Sequence, residues 1–383
     1  MARPLIGELR AREAPVEHFP EPEESLPALE AVVPEGQLRR RPPELPWLDE
    51  ATLRAHFAHA VLGRDCGAPW AAEAERAASL PGLVRLHPGQ PDATVQGALE
   101  VLHEVASALA ALTGMDRFSL QPPTAAAAAR AGLRLASKAF ARTQPGRQAI
   151  VAAEESEAGA LAEELGLGHR PVSRLASGDV DLDHLVGAVG ETTAALVVSW
   201  LTPCGAFERN LAAAAEVAHA RGALVCVDAT GLGVLAGRTR LREAGADVAW
   251  LGLRELCPWA AGAALGVRRA LTDFLPSPLV GRERGGYERD EELGHTIGPL
   301  ALSAGDLCDA LAVAVALRTL GERGLRARAE RLAAQAAALA RQSPNQYAGI
   351  GARVCLRGGA RPRGEDPRGA AGEAGDAKEA DHS

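Results

Sequence analysis

TTAALVVSWLTPCGAFERNLAAAAEVAHARGALVCVDAT, residues 192–230, decides the fold. It opens on a short apolar run, TTAALVVSWL (192–201), and closes on another, ALVCVDAT (223–230), with ERNLAAAAEVAHARG between them. The end runs have no polar alternation, the pattern of strands covered on both faces. The middle segment has helical composition and periodicity. A strand, a helix and a strand in that order form a right-handed crossover between parallel neighbours.

The pattern continues on both sides. DVAWLGL (247–253) and QAIVAA (148–153) read as further buried strands, and RFSLQ (117–121) as another. The Ala-rich stretch from Thr124 to Phe140 reads as a helix. Upstream, Val95, Leu99, Leu102, Val105, Leu109 and Leu112 recur every three or four residues and define a long helix that Gly114 stops. The reading is an α/β protein built on a mainly parallel sheet. DLCDALAVAVALRTLG (306–321) and LRARAERLAAQAAALARQ (325–342) predict two helices beyond it.

Composition narrows the class. The chain has 383 residues, a formal net charge of −8 and a pI near 5.8, which oppose a general nucleic-acid binder. No segment approaches about 18 consecutive apolar residues, and no apolar stretch follows the basic residues at the start, so the expected location is the cytoplasm, with no membrane span. Six scattered cysteines form no CxxC pair and have no histidine at metal-ligand spacing, so buried reduced thiols and no metal are expected. No Walker loop or GxGxxG motif follows a strand. His103, His169, His184 and His219 lack a carboxylate or cysteine partner at useful spacing and are read as surface residues. The Pro- and Glu-rich residues 1–60 suit an extended arm, followed by a large domain over 61–270 and a partial C-terminal domain over 271–350. The polar 351–383 reads as a disordered tail.

Three runs then point to a family. LHPGQPDATVQGALEVL (86–102), FERNLAAAAEVAHARGALVCVDATGLGVLAGRTR (207–240) and RTLGERGLR (318–326) resemble the glycine cleavage system P protein, glycine dehydrogenase (decarboxylating), in the half that many bacteria make as subunit 2. The first run is the most specific. The resemblance implies the type I fold of pyridoxal-phosphate (PLP) enzymes, a large domain with a mostly parallel sheet and here a truncated smaller C-terminal domain. In that family a lysine holds PLP as a Schiff base, the ring acts as the electron sink for glycine decarboxylation, and the aminomethyl group passes to lipoyl H protein. The implied partners are a subunit 1 homologue and H protein, in a homo- or hetero-oligomer.

Site residues carry over position by position. Asp228 falls where the family's aspartate pairs with the pyridine nitrogen; the alternative is an aspartate that orders the loop after a strand. LQPPTAAAAAR (120–130) matches the loop that cradles the phosphate. Thr124 and Ala125 are the candidate contacts, with Thr124 equally readable as a plain N-cap. The family's Gly-Ala-His-Gly is replaced here by Ala125 to Ala128, so no histidine can stack on the ring. Thr202 joins the candidates, and so does His87, which reads either as a residue at the site mouth or as a loop-packing histidine.

The decisive departure lies in DVAWLGLRELCPWAAGAALGV (247–267). Matched to the family's DVVHLNLHK, it puts Glu255 at the lysine and Arg254 at the preceding histidine. The chain has two lysines in all, Lys138 inside the helix and Lys378 in the tail, so PLP is expected to bind at most noncovalently. GRDCGAPWA (63–71) keeps Gly63 and Cys66 but has Pro69 where the family has a second lysine, and AEESEAGAL (153–161) lacks the family's histidine. The favoured reading is a catalytically impaired or inactive subunit 2 homologue acting as a P-protein-like partner. The alternative is an active decarboxylase subunit.

Overall fold

The computed structural model describes residues 69–80, 86–175, 177–202, 207–231, 233, 240–258, 260–283, 285–342, 347–348 and 355–356. The expected arm at 1–60 lies outside these residues, as does all of the expected tail except 355–356.

Seven strands form one sheet: β1 (Arg117–Ser119), β2 (Ala149–Ala153), β3 (Gly168–Val172), β4 (Thr193–Ser199), β5 (Leu224–Asp228), β6 (Val248–Gly252) and β7 (Ala263–Val267). Their order is β1-β7-β6-β5-β4-β2-β3. The β3-β2-β4-β5-β6 pairs are all parallel, and β7 runs antiparallel to both β6 and β1. The mainly parallel sheet is therefore present, with one reversed strand that apolar patterning could not reveal. β1 is shorter than RFSLQ, because Leu120 leaves the sheet to bridge Gly305 and prolines follow at 122 and 123.

Helices cover both faces: α1 (Pro69–Ala78), α2 (Gln96–Thr113), α3 (Ala125–Phe140), α4 (Glu157–Glu164), α5 (Leu182–Ala188), α6 (Leu211–Ala220) and α7 (Leu307–Gln342). Alternation along the strands feeds two cores. Val225 and Val227 face one side with Leu99, Leu109, Leu185 and Leu211, and residues 310–316 of α7 join that core. Leu224 and Cys226 face the other side with Leu133 and Leu135 of α3 and Ala158 of α4. Since aromatics are scarce, close approach matters. A Cβ on Gly132 of α3 would stand 2.9 Å from Trp250 Cε3, so the indole of β6 packs directly on the helix backbone.

Helix ends follow their sequence signals. Gly114 ends α2 at φ 76°, donating its N–H to Ala110 O, a conformation that glycine adopts without Cβ strain. α7 breaks at Gly321 (φ 57°, ψ −175°), so its two halves correspond to the two predicted helices. A hairpin, β8 (Leu279–Glu283) and β9 (Gly286–Asp290), lies between β7 and α7. No helix among the described residues is long and apolar enough to cross a membrane.

Candidate functional site

In a parallel α/β sheet the carboxyl ends of the strands and the adjoining helix N-termini form the natural binding edge. Six of the seven residues singled out in the sequence lie at this edge.

Asp228 is the last residue of β5, in register with Ser199 of β4 and Trp250 of β6. Its Oδ1 accepts from Thr230 N at 2.9 Å and from Thr230 Oγ1 at 2.5 Å, so one carboxylate oxygen orders the loop that follows. Backbone bonds from Trp200 N to Asp228 O and from Ala229 N to Trp250 O hold the strand ends level.

Thr124 has extended backbone and caps α3, its Oγ1 accepting from Ala127 N at 3.1 Å. The N-cap role is thus realised. The first N–H groups, those of Ala125 and Ala126, have no intrahelical acceptor. The helix start touches the β6 end, since a Cβ on Gly252 would lie 4.0 Å from that of Ala125.

Arg254 and Glu255 occupy a 3-10 turn, Leu253–Glu255, immediately after β6. The Arg254 side is exposed and Glu255 is half-buried. The loop after Asp228 reaches this turn at Gly233, where a Cβ would stand 2.5 Å from Glu255 O. Thr202 follows β4. It is fully buried, and its Oγ1 finds no hydrogen-bond partner among the described residues. Its neighbour Leu201 packs on the same loop, since a Cβ on Gly231 would meet Leu201 Cδ1 at 2.4 Å.

His87 belongs to a different construction. Its Nδ1 accepts from Gly89 N at 3.0 Å, and among the described contacts none joins it to Asp228, Thr124 or Glu255. The surrounding run is a clasp for the β8–β9 hairpin. Asp92 Oδ2 accepts from Arg289 N at 2.8 Å and Asp92 Oδ1 from Arg289 Nε at 2.5 Å, and the remaining guanidinium nitrogens donate to Pro88 O and Gln90 O. Gln96 Nε2 donates to Asp92 O and Tyr287 O, and its Oε1 accepts from Tyr287 N.

Sequence reasoning missed three residues that shape this edge. Asp309, in the first turn of α7, accepts from Ala261 N at 3.0 Å and Gly262 N at 2.6 Å, fixing the segment that leads into β7. Burial pushes its carboxyl above the ordinary carboxylate range. The two N–H groups and the nearby Arg254 charge oppose the shift. Arg328 of α7 is buried and donates from Nη1 to Glu255 O at 2.8 Å. Gln121 is buried between two segments, donating to Pro276 O and Pro278 O and accepting from Leu300 N and Ala301 N. A helix of alternating Ala, Arg and Glu gives no hint that one arginine turns inward.

The surface reading of the histidines holds for His184 and His219 but needs correction for His103 and His169, and His219 has a carboxylate partner. His219 Nε2 lies 2.8 Å from Oδ2 of the fully buried Asp247. The two are 28 residues apart, a pairing no local spacing could show. His169 Nε2 is buried, its ring lying over Gly159 of α4. His103 is half-buried against Tyr287, its pKa lowered by burial and then by Arg117 and Arg282. His184 is exposed, as is His219, and the His184 Nδ1 bonds Ser173.

For a coenzyme attached through a lysine imine, the residues at this edge do not fit. Lys138 lies roughly four turns, ~20 Å, along α3 from Thr124, and its Nζ donates to Thr296 O on an exposed flank. Glu255 carries no amine. Cys226 and Cys257 are buried, and the Cys226 thiol is pushed up beyond its usual range by burial. Among the described residues no group of three or more His, Cys, Asp or Glu side chains could hold a metal.

Comparison with known proteins agrees with the architecture. No protein-family model matches the chain. It is 31% identical over 320 residues to the probable glycine dehydrogenase (decarboxylating) subunit 2 of Halalkalibacterium halodurans, covering 78% of this chain and 65% of the relative. It is 30% identical over 341 residues to the protein of the same name from Shouchella clausii, covering 83% and 69%. The chain thus spans about two thirds of the length of these curated relatives. Among solved structures it resembles a glycine decarboxylase (P-protein) of the glycine cleavage system in inhibitor-bound form, at a TM-score of 0.60 and 22% identity over 86% of this chain and 83% of that one. A cysteine desulfurase from Thermococcus onnurineus NA1 follows at 0.51 and 17%, over 73% and 72%. The fold is that of type I PLP enzymes, and the chain belongs to the glycine dehydrogenase (decarboxylating) subunit 2 family.

Proposed function

We propose that this chain is a catalytically inactive homologue of glycine dehydrogenase subunit 2, which keeps the fold and serves as a partner within a P-protein-like assembly. The carrying observation is Glu255 on the turn after β6, at the position the resemblance gives to the Schiff-base lysine, together with the placement of Lys138 far from that edge. A carboxylate cannot form an imine, and fold alone does not confer activity. The partner in this reading is a subunit 1 homologue, with lipoyl H protein as a further contact, in a cytoplasmic oligomer. On this reading residues 61–270 belong to the large domain and 271–350 to a partial C-terminal one.

A second reading rests on Asp228, the last residue of β5, where the resemblance puts the aspartate that pairs with the pyridine nitrogen, and on the first N–H groups of α3. On that reading PLP binds reversibly, contacted by Asp228, Thr124, Ala125 and Thr202, without a covalent link. Two experiments separate the readings. Size-exclusion chromatography with a subunit 1 homologue should yield a joint complex, and separate elution of the two chains contradicts the partner role. Equilibrium dialysis against PLP reports reversible uptake, and an Asp228→Ala variant should lose that uptake if the second reading holds.

A further inference from the structure

The Glu255 carbonyl is a joint between three parts of the chain. Arg328, from the second half of α7, donates Nη1 to Glu255 O at 2.8 Å and reaches Leu256 O at 3.4 Å. Gly233, from the loop that begins at Asp228, approaches the same carbonyl so closely that a Cβ would stand 2.5 Å away. The turn itself closes through bonds from Leu256 N and Cys257 N to Leu253 O, and Leu253 N donates to Gly262 O.

Arg328 is 4% exposed, and a guanidinium is removed from water at high cost unless its donors are engaged. Here it engages backbone oxygens at the end of a turn. Carbonyls at such an end carry partial negative charge and favour a cation. The helix bearing it is anchored on its buried side by Leu325, Ala329 and Leu332, so the guanidinium is held by packing as well as by its bonds.

We propose that Arg328 is a positioning residue that locks the β6–β7 turn from α7, so that the turn is fixed by the protein's own side chain and needs no bound coenzyme to order it. This rests on the inactive reading of Glu255 but is tested separately from it, because its readout is local backbone protection rather than cofactor chemistry.

The experiment is hydrogen–deuterium exchange followed by mass spectrometry on the purified full chain without added PLP. Arg328→Met keeps the bulk and removes the donors. Exchange across 253–262 should accelerate about tenfold, while β4 and β5 keep wild-type protection. Arg328→Lys, which retains a cation with point-like donors, should fall between the two. Gly233→Ala perturbs the same carbonyl from the opposite side and should open the same segment, which keeps the proposal testable if Arg328→Met does not fold. Unchanged exchange at 253–262 in folded Arg328→Met would overturn the proposal. So would acceleration spread evenly over the sheet, or protection that appears in the wild-type turn only when PLP is added.

Discussion

Breaking the clasp between Asp92 and Arg289 gives a quantitative test of how the most specific stretch of this sequence works. Arg289 and Asp92 side chains are 16% and 26% exposed, so their ion pair is screened less than a surface pair but is not dry. Arg289 also satisfies Pro88 O and Gln90 O. Charge-assisted bonds of this kind contribute ~1.5–3 kcal/mol when intact. Removing Arg289 releases carbonyls that water can reach, so Arg289→Ala should cost about 2–4 kcal/mol. Asp92→Ala, which frees the Arg289 backbone N–H as well as its Nε, should cost roughly 2 kcal/mol. The decisive quantity is the coupling. A double-mutant cycle measured by urea denaturation should give about 1.5 kcal/mol of interaction energy, because the two residues share contacts. Strict additivity, with a coupling below ~0.5 kcal/mol, would mean that the 86–96 run is not a clasp and that its specificity has another origin.

Further predictions concern buried charge and pH. Glu208 has no exposed side-chain surface and accepts from Val180 N, Asn210 N and Arg174, so Glu208→Ala should destabilise by ~3 kcal/mol. Breaking the exposed Arg130–Glu164 pair should cost no more than ~0.5 kcal/mol; comparable losses in denaturation experiments would contradict the burial argument. Asp309 has a folded pKa raised by burial, so its protonated form favours folding. Its contribution is full below the ordinary carboxylate pKa and is lost as pH rises through the higher folded value. Asp309→Asn should therefore remove part of the fall in melting temperature across that acidic window, and an unchanged slope would refute the assignment.

Much of the fold was legible because its signals are local. The buried runs at 193–199, 224–228 and 248–252 lack polar alternation, Gly114 stops α2 and Thr124 starts α3. The antiparallel setting of β7 was not, since a five-residue apolar run reads the same in either direction. At the candidate site, sequence order identified strand-end residues such as Asp228 and the turn bearing Glu255. It could not show the long-range partners. Arg328 meets Glu255 across 73 positions, and His219 meets Asp247 only because α6 returns alongside the start of β6. His87 was singled out for its motif, yet the motif's strongest bonds run through Asp92 and Gln96 to the hairpin.

Among the described residues no lysine stands at the strand-end edge to hold PLP, since Lys138 donates to Thr296 O on the flank of α3. Incubating the chain with PLP under denaturant-free conditions, reducing with borohydride and mapping peptides by mass spectrometry tests it directly. The account predicts no phosphopyridoxyl group on any lysine at stoichiometric level, and a stoichiometric adduct on Lys138 or Lys378 would contradict it.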